Sequence, residues 1–395
     1  MAAKRSQRAA VQDLWLTRDK VKTKRHGRGL RYRAVWVTPD GKENTKGFRT
    51  KADAQNFLDE NTAAVKTGTW VDPAKSARAF GEVAEEWLAG KKASTKPKTY
   101  AGYRSILDTV VFPRWEKTAV GDITFGELQA WISGLGEAGG SARFAKRGLS
   151  ASRIVQTHQC MGAVFKYAAR LELVRQSPTD GIELPRKPRA GVDQTYLTHA
   201  QLRALAGEIG ERFGVLVLVL GYCGLRFGEA AALRIGSVDV DSGRISVTTS
   251  VTNVTGQGLV EGAPKTHARR SVPIPGLVLE PLRRHIESRG RAELVWPGDD
   301  PTADEPWITN GKLRWSWDAA IERRQADDVE FPSVTPHDLR HTCASLAISA
   351  GANVKALQTL LGHETATMTL DRYGHLMPSD LDAVAEAMNT AALAS

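Results

Sequence analysis

Four short patches in the second half of the chain carry side chains able to grip a phosphate or move a proton. The first, Cys223-Gly224-Leu225-Arg226-Phe227-Gly228-Glu229, overlaps the end of an apolar run from Phe213 to Leu225 that Arg212 and Arg226 fence. A guanidinium at the end of a buried helix is rigidly held, and Glu229 one turn later can orient it. Its planar fork suits two phosphate oxygens, although a purely structural Arg–Glu pair has the same spacing. The second patch contains Pro264-Lys265-Thr266 and Arg269-Arg270, followed by Val272-Pro273. Pro264 and the β-branched residues after it predict a hairpin with Lys265 near its tip or edge. An ammonium there can protonate a leaving oxygen, although taken alone such a lysine is more often a solvated one that blunts a sheet edge.

In the third patch, Thr335-Pro336 starts a helix and His337-Asp338-Leu339-Arg340-His341 follows. His337 and Arg340 then project from the first turn, where unpaired N–H groups and the helix dipole favour an anion. His337 and His341 have the i, i+4 spacing of a zinc pair. Asp338, however, stands where such helices carry glutamate, and Arg340 would set a cation beside the ion, so no metal site is expected. The fourth patch holds Leu361-Gly362-His363 and, ten residues past the histidine, Tyr373. Each patch alone is ambiguous. Together they supply what metal-free phosphoryl transfer needs: cationic clamps, a proton donor, a proton acceptor and a nucleophile.

On these motifs the chain resembles the tyrosine recombinases, specifically phage-type integrases: the order Arg226, Lys265, His337-x-x-Arg340, His363, Tyr373 is that family's order. The resemblance implies that Tyr373 attacks a DNA phosphate to give a 3′-phosphotyrosyl link and a free 5′-hydroxyl. Arg226 and Arg340 would brace the non-bridging oxygens, and Lys265 would protonate the leaving 5′-oxygen. His337 would assist proton transfer from the tyrosine, and His363 would hydrogen-bond the phosphate. Glu229 and His341 read as supporting residues. The Ala268-Arg269-Arg270 run blurs which basic residue belongs with the lysine strand. Neither a cofactor nor a divalent metal is implied. The implied partners are double-stranded DNA at attachment sites, a homotetramer exchanging strands through a Holliday junction, and an accessory DNA-bending protein. The implied location is a bacterial host's cytoplasm. A transposon or chromosome-resolution recombinase, a type IB topoisomerase, a metal-dependent nuclease and a DNA-binding regulator without chemistry are the rival readings.

These residues need a scaffold, and charge shows how the chain divides. Residues 1–75 hold 17 Lys/Arg against 8 Asp/Glu, and residues 76–190 hold 18 against 11. Residues 191–395 hold 19 against 25, so the whole net charge of +10 comes from the first half. That asymmetry points to a polyanion, and neutralising nucleic-acid phosphates releases counterions. Lys4, Arg5 and Arg8 precede no apolar stretch, so no secretory signal is expected, and thirteen apolar residues are too few for a bilayer span. Three cysteines without a C-x-x-C pair predict neither disulfides nor a cysteine zinc site, and suggest a reducing compartment.

The expected fold is multidomain. Residues 1–72 should form a small α+β arm-type DNA-binding domain with a basic, partly flexible start. Strands at 31–37 and 44–48 and a helix capped by Thr50 come from the residue pattern; the resemblance adds a third strand. Residues 76–184 should form an all-α core-binding bundle after a linker at 72–77. There Phe80, Val83, Ala84, Trp87 and Leu88 share one helix face. Helices are also expected at 99–111, 124–133 and 150–170, the last with Ile154, Thr157, Met161, Val164, Phe165 and Ala168 inward, and a mobile glycine-rich connection at 134–148. Residues 195–395 should form an α+β, mostly helical catalytic domain that opens with a helix capped by Thr198 and has one small antiparallel sheet, from strands at 245–251 and 271–274, and a tail helix after Pro378. In the family such a tail docks into a neighbouring protomer. Candidate DNA contacts are Arg31 and Arg33 on a strand, Arg153, Lys166 and Arg170 on a helix, and Arg186 and Lys187 in a basic linker.

Overall fold

The computed structural model describes residues 9–38, 41, 43–67, 70–141, 146–186, 195–264, 269–300, 306–377 and 381–393. The chain divides into two compact units, residues 1–187 and 188–395. No helix among the described residues is long and apolar enough to cross a membrane.

The first unit opens with strands β1 (Ala10–Asp13), β2 (Tyr32–Val37) and β3 (Glu43–Phe48), an antiparallel sheet in that order. Ala10 faces Val35, and Tyr32 faces Phe48. Helix α1 (Lys51–Lys66) begins where Thr50 accepts a hydrogen bond from the Asp53 amide at 3.1 Å. Its Ala54 and Leu58 pack on Ala34 and Trp36 of β2. The basic segment between β1 and β2, expected to be partly flexible, is tied in. Leu14 N–H donates to the Arg31 carbonyl at 2.7 Å, and Thr23 N–H to the Trp15 carbonyl at 2.9 Å.

The rest of the unit is helical: α2 (Pro73–Ser76), α3 (Phe80–Lys91), α4 (Pro97–Ile106), α5 (Phe112–Trp115), α6 (Phe125–Gly134) and α7 (Ala151–Arg170). The expected linker at 72–77 is thus a helical turn, because Asp72 caps it and Pro73 suits the first position. The buried face of α3 is the predicted one. That of α7 is too, with Cys160 added to Ile154, Thr157, Met161, Val164, Phe165 and Ala168. One helix expected over 99–111 is interrupted: Leu107–Val111 widens into a π turn before α5. Pro113 has no N–H for the Thr109 carbonyl four residues back, and the Ser141 hydroxyl donates to that carbonyl instead. Ser141 belongs to the glycine-rich stretch read as a mobile connection. Near its start, the Leu135 carbonyl accepts the Leu149 N–H at 2.8 Å.

The second unit starts with α8 (His199–Glu208), capped reciprocally by Thr198 and Gln201, then α9 (Glu211–Cys223) and α10 (Phe227–Ala231). Five strands follow: β4 (Val238–Asp239), β5 (Arg244–Val247), β6 (Ser250–Val254), β7 (Gly258–Gly262) and β8 (Arg270–Pro273). They make two small sheets rather than one, β4-β5-β8 and β6-β7. The run expected as one strand at 245–251 breaks after Val247 because its second half leaves for the other sheet. The hairpin is β6–β7; β8 pairs with β5, so the segment carrying Lys265 connects the two sheets, and Lys265 itself lies outside the described residues. Helices α11 (Gly276–Ile286), α12 (Asn310–Asp327), α13 (Asp338–Ser349), α14 (Val354–Leu361), α15 (Ala366–Tyr373) and α16 (Leu381–Leu393) complete the unit. The core joins Leu216 and Leu220 of α9 to Val272, Leu282, Trp317 and Leu339. Burial of each such side chain contributes about 1.5–3 kcal/mol. On α16, Met388 and Leu393 are exposed.

Candidate active site

Gly224 ends α9 in the left-handed region at φ +65°, and a Cβ there would meet Cys343 Sγ and Leu361 Cδ2 at 3.0 Å. The chain therefore reverses tightly and delivers Arg226 to the N-terminus of α10. There the Arg226 amide and its Nη1 both donate to the Glu229 carboxylate at 2.9 Å. Glu229 is buried, and its carboxylate also takes Nη1 and Nη2 of Arg270, at 3.0 and 2.6 Å. Burial alone would raise the Glu229 pKa, but Arg270 and Arg226 outweigh it and hold the carboxyl at about 2, below the ordinary 4.5. A pKa lowered on folding contributes stability that is complete above about pH 4.5 and fades as pH falls toward 2. Glu229→Gln should therefore destabilise the protein at pH 7 by about 3–5 kcal/mol, because it strands the buried Arg270. Urea unfolding at pH 7 would measure this, and wild-type stability in the variant would contradict it.

Three arginines converge on the C-terminal end of α14. Arg270 Nε donates to the Leu360 carbonyl at 3.1 Å, Arg340 Nη2 to the Leu361 carbonyl, and Arg226 Nη2 reaches the Gly362 carbonyl at 3.5 Å. These are the carbonyls a helix end leaves without partners, at the negative pole of its dipole. Gly362 again has positive φ, +63°, and a Cβ would press on Arg270 Cδ at 3.0 Å. Arg340 does not project from its turn as expected: it is 3 % exposed, with Nη1 on the Gly224 carbonyl at 2.6 Å. Burial, then the like charge of Arg226, pushes its pKa down. Two guanidiniums short of countercharge favour an anion beside them.

The turn held by the arginines leads directly to His363, whose Nδ1 shares a hydrogen bond with Thr369 Oγ1 at 2.9 Å. The His363 ring lies parallel to that of Tyr373, 5° between planes and 6.3 Å between centroids. Tyr373 closes α15, is fully buried, and is bonded at 2.7 Å to His341 Nδ1. Burial raises the phenol to about 12 despite the opposing charges of Arg340 and Arg372. Burial, then Arg372 and His337, lowers His341 to about 4; burial, then Arg340, lowers His363 to about 4. His337 stands exposed just before the first residue of α13, and its ring meets the His341 ring edge-on at 5.0 Å between centroids.

The structure thus brings together Arg226, Glu229, Arg340, His341, His363 and Tyr373, with His337 at the margin. Among the residues read as DNA contacts, Lys166, Arg170 and Arg186 are exposed, and Lys187 lies outside the described residues. Arg31 is half-buried against Asp13 at 2.9 Å, Arg33 holds the Gln12 side chain, and Arg153 donates to the Ser105 hydroxyl at 3.2 Å. The freer cations of the first module are Arg18, Lys20, Lys22, Lys24, Arg25 and Arg28 between β1 and β2, all exposed. Sequence reasoning missed two roles. Arg270 stood in a quoted motif but received none, and His341, read as supporting, is the residue on the phenol. No group of three or more histidine, cysteine or acidic residues among the described residues could hold a metal ion, and all three cysteines are buried and free.

The phage integrase family pattern matches residues 195–379, and that of the phage integrase N-terminal SAM-like domain matches residues 79–136. The chain is 26 % identical over 390 residues to an integrase of Mycobacterium phage L5, covering 95 % of this chain and 98 % of that protein. Identity to the putative prophage phiRv2 integrase of Mycobacterium tuberculosis H37Rv is 26 % over 359 residues, covering 87 % and 88 %. In fold it is similar to the Tn1549 transposon integrase in complex with a circular intermediate DNA (TM-score 0.62, 20 % identity, 79 % and 99 % covered). It is also similar in fold to the lambda integrase tetramer bound to a Holliday junction (TM-score 0.56, 16 % identity, 85 % and 94 % covered). A chain matched by both patterns, with its arginines gathered around one turn and a histidine-bound tyrosine beside them, belongs to the phage integrase family of tyrosine recombinases and is a site-specific DNA recombinase.

Proposed function

We propose that this recombinase integrates phage or other mobile DNA through a 3′-phosphotyrosyl intermediate on Tyr373. The observation that carries this reading is the convergence of Arg226, Arg340 and Tyr373, far apart in sequence, on the turn after α14. With a scissile phosphate between the guanidiniums, the Tyr373 oxygen attacks phosphorus and the 5′-oxygen departs. Arg226 and Arg340 stabilise the charge that grows on the non-bridging oxygens, about 3–4 kcal/mol for each such contact. Lys265 protonates the departing oxygen. His363 hydrogen-bonds the phosphate, and His337, at the exposed end of the histidine pair, passes the tyrosine's proton toward solvent. The ester conserves the phosphodiester's energy, so rejoining needs no nucleotide.

In this reading residues 1–72 bind arm-type DNA, residues 76–184 bind the core site and residues 195–395 cut and rejoin. The exposed cations Lys166, Arg170 and Arg186 lie along phosphates. Four protomers assemble on two duplexes, with α16 docking between neighbours, an accessory protein bends the DNA, and the reaction takes place in the cytoplasm of a bacterial host. Incubating the protein with a nicked target duplex in EDTA tests the chemistry. A covalent protein–DNA adduct that forms undiminished in the chelator is expected; cleavage that requires added magnesium would overturn the proposal.

A further inference from the structure

We propose that His341, rather than the histidine three residues before Arg340, is the catalytic residue that receives the proton of Tyr373 as the phenol attacks. The inference rests on the reading of Tyr373 as nucleophile and adds the group that activates it. Nδ1 of His341 lies 2.7 Å from the hydroxyl, within the distance a general base must have from the proton it takes. Among the described residues this is the hydroxyl's one hydrogen bond given by the geometry. In the tautomer that carries the ring proton on Nε2, the phenol O–H donates and Nδ1 accepts. The ring is 4 % exposed, so water does not compete for Nδ1.

In the step, the O–H bond of Tyr373 breaks and its proton passes to Nδ1. The phenolic oxygen bonds to phosphorus, and the P–O5′ bond breaks. The 5′-oxygen leaves with its electron pair and takes a proton from a general acid. The products are an imidazolium, a phosphotyrosyl ester and a 5′-hydroxyl. The groups facing His341 set when this is possible. On its own helix these are His337, Asp338 and Arg340; from α15 comes Arg372, with His363 acting from the turn after α14. Burial first, and then a surrounding charge that is mostly positive, keeps the ring neutral and ready to accept at pH 7. A DNA phosphate bound at Arg340 offsets that charge and raises the basicity of Nδ1 when substrate is in place.

Single-turnover cleavage of a nicked duplex between pH 6 and pH 9.5 tests this in wild type, His341→Gln and His337→Gln. His341→Asn serves as a second variant should the glutamine protein not fold, and DNA affinity and thermal melting are followed in each. At pH 7 His341→Gln should cleave about 10²–10⁴-fold more slowly with near-normal DNA affinity. Its deficit should shrink by about tenfold per pH unit as the unaided phenol begins to ionise, while His337→Gln shows no such narrowing. Three results would overturn the role: a deficit equal at all pH values, a rate at or above wild type, or the narrowing gap appearing in His337→Gln instead. Tyr373→Phe runs alongside. An adduct surviving in it removes the nucleophile itself, whereas an inert Tyr373→Phe beside a flat His341 profile removes only the part given to His341.

Discussion

Tyr373→Phe is expected to abolish the covalent DNA adduct completely while leaving site affinity within about twofold of wild type. The substitution deletes one oxygen atom and keeps the ring among Ala344, Ile348, Leu357 and Leu361. What it strands is Nδ1 of His341, and an unsatisfied buried acceptor costs about 1–3 kcal/mol. That is too little to unfold a typical domain, so the loss can be read as chemistry. Adduct yield on a nicked duplex, scored beside a binding titration, is the measurement. A variant that still captures DNA covalently would move the nucleophile elsewhere.

The second large effect is expected at Arg340. A contact worth about 3–4 kcal/mol to the developing charge corresponds to about 10²–10³ in rate, and Arg340→Gln should lose cleavage on that scale. The same side chain also fastens the Gly224 and Leu361 carbonyls, so a stability loss is expected as well. The two effects separate by where they appear. A structural loss alone lowers the melting temperature and the active fraction, but the molecules that remain folded cleave at the wild-type rate. A catalytic loss lowers the single-turnover rate of the folded fraction, with affinity changed only a few-fold because one phosphate contact among many is altered. Wild-type single-turnover rates in folded Arg340→Gln would contradict the assignment.

The parts of this architecture that periodicity or capping controls were legible in the sequence. The inward faces of α3 and α7 follow from apolar spacing, and the starts of α1 and α8 from Thr50 and Thr198, because those signals are local. The π turn before α5 was not, since Pro113 could have ended the helix, and the Ser141 hydroxyl that lets it continue is far along the chain. Strand β1 is four residues long with no alternation to mark it, and only the family resemblance supplied it. The splitting of one expected strand into two sheets depends on β5 choosing β8 as partner, a pairing across more than twenty residues.

The site shows the same division. Residue types and order, together with the family resemblance, pointed to Arg226, Arg340, His363 and Tyr373, which the structure brings together around one turn. Which histidine touches the phenol depends on how α15 lies against α13, and no spacing rule encodes that. His337 and His341 stand on adjacent turns, and only the packed structure puts the second at 2.7 Å. Arg270 was hidden for a related reason: in sequence it is one of two neighbouring arginines, and its partner Glu229 is 41 residues away. That buried carboxylate with two guanidiniums explains why the arginine patch can be dense yet ordered.

The most direct measurement is to trap the adduct on a nicked duplex, digest it with protease and nuclease, and locate the attached nucleotide by mass spectrometry. A 3′-linked nucleotide on the peptide containing Tyr373 is the predicted result. Attachment to any other residue, or a 5′-linked nucleotide, would contradict it.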